Sequence, residues 1–245
     1  MAFDPKRTKQ VDNPLVDCPF VIDLTVPFEF GKGDAFGLEP PVKTALLPRS
    51  AGCAADRIAF CAHASGTHTE CGAHINQAMD FATIFQSFPP VTTCVVLRVK
   101  PESFGDCGGD TYLGSVPQPE PEELVVSKRS LEQALVNAAV QLDGVRSVII
   151  MTLRRDWVFF TDQAMDWLIQ RKIDCLIVDK VSVDRERCGP AMPAHRRFFS
   201  RPGAIVTESI RSDETVKDGL YLLNLQLSPF LGTDAVPSRV LLLPT

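Results

Sequence analysis

Histidine is scarce in this chain, with four residues in 245, and there are only two tryptophans and two tyrosines. None of the eight cysteines stands in a C-x-x-C pair, which excludes a zinc ribbon and a thioredoxin-type redox motif. No apolar run approaches the roughly 20 residues of a membrane span, so a membrane is excluded as a partner. The first twenty residues also contain no apolar run of signal-peptide length. The expectation is a cytoplasmic protein whose thiols are reduced, several of them in the core. Positive charge is in deficit, at a formal net charge of -5, and the one basic cluster, Arg196, Arg197 and Arg201, is too short to hold a phosphate backbone. Nucleic acid is thereby excluded as the main partner.

A chain of this length can bury roughly 70% or more of the surface its unfolded form exposes, so it needs no disulfide or metal staple to fold. It contains no internal repeat. The stretch 101–126, "PESFGDCGGDTYLGSVPQPEPEELVV", is rich in Gly, Pro and acid and reads as a long loop or insertion. A single domain over 1–245 is expected, with an N-terminal arm at 1–19. Strands are predicted at 20–28, 42–48, 56–63, 91–100, 145–154, 174–180, 203–210, 220–227 and 239–244. Several are unbroken β-branched apolar runs, as when both faces of a sheet are covered. Helices are predicted at 78–88, 129–142 and 162–172, the second opening on a capping box of Ser130 with Gln133 and followed by Gly144. The later elements alternate as in an α/β unit, while the early strands run consecutively, which together predict a mixed sheet with flanking helices. Trp157, Phe159, Phe160 and Trp167 read as core or interface residues. The charge run Asp184–Cys188 reads as solvated, and its place just before His195 makes it a candidate lid.

Three of the four histidines fall in "CAHASGTHTECGAHI", residues 61–75. A strand ending near His63 delivers a Ser-Gly turn. Beyond it, His68 and Glu70 lie two apart and leave an extended backbone on the same face. Imidazole and carboxylate together suit a borderline divalent cation such as zinc or manganese. His74, four beyond Glu70, can stand over the same site without ligating. Taken one at a time these residues are ordinary surface or core side chains, and it is the cluster that points to a metal or acid-base site.

The wider pattern resembles the cyclase family of metal-dependent hydrolases, which includes kynurenine formamidase and isatin hydrolase. "HASGTHTECGAH" is similar to that family's H-x-G-T-H-x-D-x-P-x-H signature, and "AHRRFFSRPGAIVTESI" to its second block, a His followed about a dozen residues later by a Glu. "VIDLTVPFEFGKGD", "LRRDW" and "LIVDKVSVDRE" resemble its opening strand, its "RTGW" strand end and its "GIDTPSID" segment, in the same order along the chain. The match spans roughly residues 20 to 210. It implies an α/β (α+β) chain with the swivelling β/β/α cyclase-like fold, and one or two divalent ions held by His63, His68, Glu70, His195 and Glu208. It also implies His74 as general acid/base, Phe36 or Phe30 against the substrate, and a homo-oligomer, at least a dimer.

Three departures mark this chain. His63 stands one residue earlier than the family's first His, so either a bulge brings it to the metal or the site has lost a ligand. Glu70 replaces Asp and is one methylene longer, which could accommodate the shift. Gly72 replaces a Pro, leaving Cys71 beside the site as an apolar filler, a soft ligand or a nucleophile. Thr67, Asp184 and Arg155 are candidates for orienting ligands or substrate. The activity implied is hydrolysis of an amide, formamide or lactam of a small molecule by metal-activated water. The alternatives are a binding protein on the same fold that catalyses nothing, and a cysteine hydrolase built on Cys71 and His74.

Overall fold

The computed structural model describes residues 21–32, 36–47, 50, 52–63, 65–114, 117–153 and 157–245. The expected N-terminal arm and Arg155 lie outside these residues. In chain order the first elements are β1 (Ile22–Asp23), β2 (Val42–Leu47), β3 (Ala55–Ala59), β4 (His68–Glu70), α1 (Phe81–Ser87) and β5 (Val91–Arg98). Then come β6 (Glu102–Ser103), β7 (Leu124–Val126), α2 (Lys128–Ala138), β8 (Ser147–Met151), β9 (Val158–Phe160) and α3 (Asp162–Gln170). The chain continues through β10 (Cys175–Val178), α4 (Pro193–Phe198), β11 (Ile205–Glu208), β12 (Gly219–Leu227) and β13 (Ala235–Pro244).

Eight strands form the main sheet in the order β1-β13-β12-β5-β8-β10-β11-β4, and β4 pairs with β13 as well as with β11. The sheet is mixed: β5, β8, β10 and β11 run parallel to their neighbours in that series, while β12, β13 and β4 pair antiparallel. Its central strands explain the unbroken apolar runs. Val95, Leu97, Val148, Ile150, Leu176, Val178 and Val206 belong to one core cluster with Leu131 of α2 and Trp167 of α3. Their alternates Cys94, Val96, Ile149, Met151, Cys175, Ile177 and Ile205 face a second core with Phe81, Leu223, Val236 and Leu242. Both faces are dry, so period-two alternation disappears from the sequence.

Two local features differ from expectation. Helix α2 is capped at Ser127, not Ser130: Ser127 Oγ accepts from Ser130 N at 3.0 Å and Ser130 Oγ accepts from Ser127 N at 2.9 Å. Ser130 is therefore the third residue of the helix, and the reciprocal bond that defines a capping box lies three residues upstream of the predicted one. The helix stops at Ala138 because Ala139 turns left-handed, with φ 53. The stretch 101–126 is irregular over much of its described length, yet β6 and β7 join β9 in a separate three-stranded sheet. No helix among the described residues is long and apolar enough to cross a membrane.

Candidate metal centre

Strand β4 is only His68-Thr69-Glu70, but both of its edges are paired. Its register sets His68 opposite Glu208 of β11, and Glu70 opposite Val206 of β11 and Ala235 of β13. Side-chain alternation sends His68 and Glu70 to one face. Thr69 leaves on the other, where its hydroxyl meets Thr207 Oγ1 at 2.8 Å and Ser238 Oγ at 2.7 Å. Two residues that are 140 positions apart in sequence thus become a cross-strand pair. Gly66 sets up the turn before β4. Its φ is +96, and a Cβ there would stand 2.9 Å from Val26 O, so no other residue fits without strain. Thr67 locks the same turn, its hydroxyl donating to Ser209 O and accepting from Val26 N, both at 2.8 Å. After β4, a 3-10 turn over Gly72–Ile75 returns His74 to the site.

Glu70, 2% exposed, is the centre of the cluster. Its Oε1 lies 2.6 Å from His63 Nδ1 and 3.2 Å from His68 Nε2, and its Oε2 lies 2.8 Å from His195 Nε2 and 3.9 Å from His74 Nε2. Glu208 faces the same space, with Oε1 3.3 Å from His195 Nε2 and Oε2 3.7 Å from His68 Nε2. Glu208 Oε1 also accepts from Val183 N at 2.8 Å. The shifted His63 therefore does reach the cluster. Its ring stacks on His74, with centroids 4.3 Å apart.

Burial alone would push the Glu70 carboxyl up, but the charge of His195, with hydrogen bonds from the imidazoles, holds it well below the usual carboxylate range. Glu208 goes the other way, raised by burial and by the charge of Glu70. Burial works against charge on His195 and His63 as well. The Glu70 charge and the Asp184 bond nevertheless hold His195 well above an ordinary histidine, and hydrogen bonds to Asp234 and Glu70 raise His63 to about 10. Cationic charge is what this ring of carboxylates demands.

The residues fit a divalent cation. Glu70 Oε2 and His195 Nε2 are fully buried and lie 2.8 Å apart as an ion pair, without the alignment of a hydrogen bond. Buried polar atoms are rarely left in that condition, and two ligands of one ion face each other in this manner. Two sets of donor atoms lie within 4.8 Å of one another: His68, Glu70 and Glu208, and His63, Glu70 and His74. Imidazole nitrogen with carboxylate oxygen is a donor set for zinc or manganese.

Behind the ligands stands Asp184, 1% exposed. Its Oδ2 lies 2.6 Å from His195 Nδ1, so the carboxylate accepts that proton and leaves Nε2 as the nitrogen facing the site. Asp184 Oδ1 accepts from Ala194 N at 2.8 Å and from Tyr112 Oη at 2.6 Å, and Tyr112 Oη in turn accepts from Arg185 N at 2.9 Å. The run 184–188 is thus solvated only in part, at Glu186 and Arg187, which are exposed. Asp184 and Arg185 are both buried, and Arg185 is pinned by Glu123 Oε1 at 2.8 Å and Pro117 O at 2.6 Å. Tyr112→Phe is expected to leave the buried Arg185 N–H without its acceptor and Asp184 with one donor fewer, and to cost about 1–3 kcal/mol in urea unfolding. Loosening His195 in the same variant is expected to weaken metal binding roughly 10- to 100-fold, as read by competition with a chromogenic chelator.

A cavity of about 370 Å³ opens over the cluster, lined by all four histidines, Glu70, Glu208, Asp234, Phe36, Leu38, Cys61, Met192 and part of the 182–189 stretch. Phe36 is at its wall, edge-on to Trp157 at 5.7 Å. Phe30 is not; it lies under Lys43, whose Nζ is 5.7 Å from the ring. Trp157 belongs to this neighbourhood more than to the core, its Nε1 donating to Asp184 O at 3.0 Å, whereas Phe159, Phe160 and Trp167 are core residues. Cys71 is buried, does not line the cavity, and has its thiol pushed up to about 11 by burial, which is the opposite of an activated nucleophile. Sequence reasoning missed Tyr112 and Asp234. Nothing local marks either one, since each enters the site through contacts with residues far along the chain.

The structure resembles several solved ones. A "potential metal-dependent hydrolase with cyclase activity" superposes with a TM-score of 0.65 at 22% identity, over 92% of this chain and 98% of that one. A "predicted metal-dependent hydrolase" of Bacillus stearothermophilus gives 0.61 at 22%, over 91% and 97%. Isatin hydrolase A of Labrenzia aggregata, bound to benzyl benzoate, gives 0.61 at 16%, over 92% and 93%. No curated protein matches the sequence. The Cyclase family, described as "Putative cyclase", matches residues 22–185, well over half of the chain. With that match joined to the shared fold, the chain belongs to the Cyclase family.

Proposed function

We propose that this protein is a divalent-metal-dependent hydrolase that cleaves the C–N bond of a small amide, formamide or lactam. One observation carries the reading. The buried pair Glu70 Oε2 and His195 Nε2, 2.8 Å apart without hydrogen-bond alignment, sits inside a ring of imidazoles and carboxylates and lines a cavity open to a small molecule. Solved neighbours named metal-dependent hydrolase and isatin hydrolase support it. His68, Glu70, His195 and Glu208, with His63 on the far side of Glu70, are the residues that would hold the ion. When bound, that ion supplies Lewis-acid polarisation of a carbonyl oxygen and lowers the pKa of a water from about 15.7 towards 7.

The rest is done by the chain's own groups. His74 Nε2 stands 3.9 Å from Glu70 Oε2, too far for a hydrogen bond and close enough for one water to touch both. It takes a proton from the attacking water and returns it to the leaving nitrogen. Phe36, Leu38 and Met192 give the cavity apolar walls, which exclude water from the body of the substrate. A site that only bound a metal or small molecule has no need of a base held off the ligands.

The test is elemental analysis of the purified protein joined to a hydrolysis screen on isatin, N-formylkynurenine and simple lactones. Zinc or manganese at one or two ions per chain is expected, with turnover that a chelator abolishes and either metal restores. Turnover that survives exhaustive chelation overturns the reading, and stoichiometric metal without turnover of any amide supports a binding protein instead.

A further inference from the structure

Asp234 has no part in the scheme above, yet its carboxylate joins two of the four histidines. Its Oδ2 lies 2.9 Å from His63 Nε2 and 3.2 Å from His74 Nδ1. A carboxylate only accepts, so at each contact the imidazole nitrogen carries the proton. For His74 this decides the tautomer. With Nδ1–H committed to Asp234, Nε2 keeps its lone pair, and Nε2 is the nitrogen that faces Glu70 Oε2 at 3.9 Å. The face-to-face stack on His63, held through the same oxygen, fixes the plane of the His74 ring.

The fold places Asp234 deliberately close. It directly precedes β13, whose Ala235 is in register with Glu70, and its carbonyl accepts from Cys71 N at 3.1 Å. The ladder that closes the sheet between β4 and β13 therefore sets the backbone of Asp234 beside the turn that carries His74. The Asp234 side chain is 48% exposed, so it is not a buried structural anchor, and its substitution leaves the core untouched.

Resting on the hydrolase reading, we propose that Asp234 is the positioning residue of His74: it binds the Nδ1 proton, selects the tautomer and aims Nε2 as the base. A carboxylate so placed orients an imidazole and stabilises its charged form once it has taken a proton.

The test uses full-length ¹⁵N-labelled protein in the presence of zinc, which is diamagnetic. Two-bond ¹H–¹⁵N correlations report the tautomer of each of the four histidines, and the His74 pattern is identified by its loss in His74→Ala. Wild type is expected to show His74 protonated at Nδ1, Asp234→Ala to show a mixture or the Nε2–H form, and Asp234→Glu to restore the wild-type pattern in large part. On isatin, or whichever probe of the screen is turned over, Asp234→Ala is expected to lower kcat roughly 10- to 100-fold with KM within about threefold and zinc content unchanged. An unchanged His74 tautomer in Asp234→Ala overturns the proposal, and so does a loss of zinc in step with the loss of rate. If wild type turns over no probe, the hydrolase reading is what fails, while the tautomer still decides the role of Asp234.

Discussion

Glu70→Gln is expected to lose bound metal and hydrolytic activity together, and to abolish the gain in stability that metal gives the wild-type protein. Each carboxylate oxygen of Glu70 meets nitrogen from two directions, His63 and His68 at Oε1, His195 and His74 at Oε2. An amide of the same size removes the negative charge that all of these contacts share, and it turns one end into a donor facing a ring nitrogen. A divalent ion bound to neutral imidazoles and one remaining carboxylate, Glu208, loses a large part of its electrostatic attraction among ligands that, at His68, Glu70, His195 and Glu208, are almost fully buried. Breaking a buried charge set by removing one member typically costs 3–5 kcal/mol, because the remaining charges stay buried without their partner.

The two consequences can be separated in one set of unfolding curves. A ligand that binds only the folded chain stabilises it by about 2.7 kcal/mol at a free concentration of 100 Kd. Wild type should show that increment on adding zinc or manganese and lose it with a chelator, whereas Glu70→Gln should give the same midpoint with and without metal. A variant that keeps the increment, or that keeps turnover, places the ion elsewhere.

The depth to which this site was legible in the sequence follows from which contacts are local. The alternation of His68 and Glu70 is a property of extended backbone and could be read directly. The strand that carries them could not, because three polar residues give no apolar pattern; β4 exists because β11 and β13 satisfy its backbone from both sides. The core strands at 91–98, 147–151 and 175–178 were plain for the opposite reason, being apolar on both faces. Strand β9 is three residues long and passed as aromatic core. Helix α4 is a six-residue piece that follows Met192 in a left-handed conformation, with no sequence cap to announce it. His195 and Glu208 entered through family resemblance, and the structure brings both to Glu70 and His68. Tyr112 lies in a stretch whose composition reads as loop, and Asp234 follows a turn with no motif around it. Each matters only through a partner that folding brings from far along the chain.

His74→Ala is expected to retain metal and to lower kcat by about 10²- to 10⁴-fold, the range for a positioned general acid/base. The alternative is that His74 is itself a ligand, since its ring, with His63 and Glu70, forms one of the two donor groups in the cluster. The geometry favours the base. The His63 and His74 rings lie face to face at 4.3 Å with an interplanar angle of 26°. Lone pairs on near-parallel rings run side by side and do not converge on one ion. His74 Nδ1 is taken by Asp234, and Nε2 stops 3.9 Å short of Glu70 Oε2, whereas His195 Nε2 comes to 2.8 Å of that same oxygen. The side chain is 19% exposed and lines the cavity wall, so truncation opens the cavity without hollowing the core. Metal content measured alongside kcat separates the two roles: a full complement of ion with a rate lowered by two orders of magnitude or more makes His74 the proton carrier, and a proportional loss of both makes it a ligand.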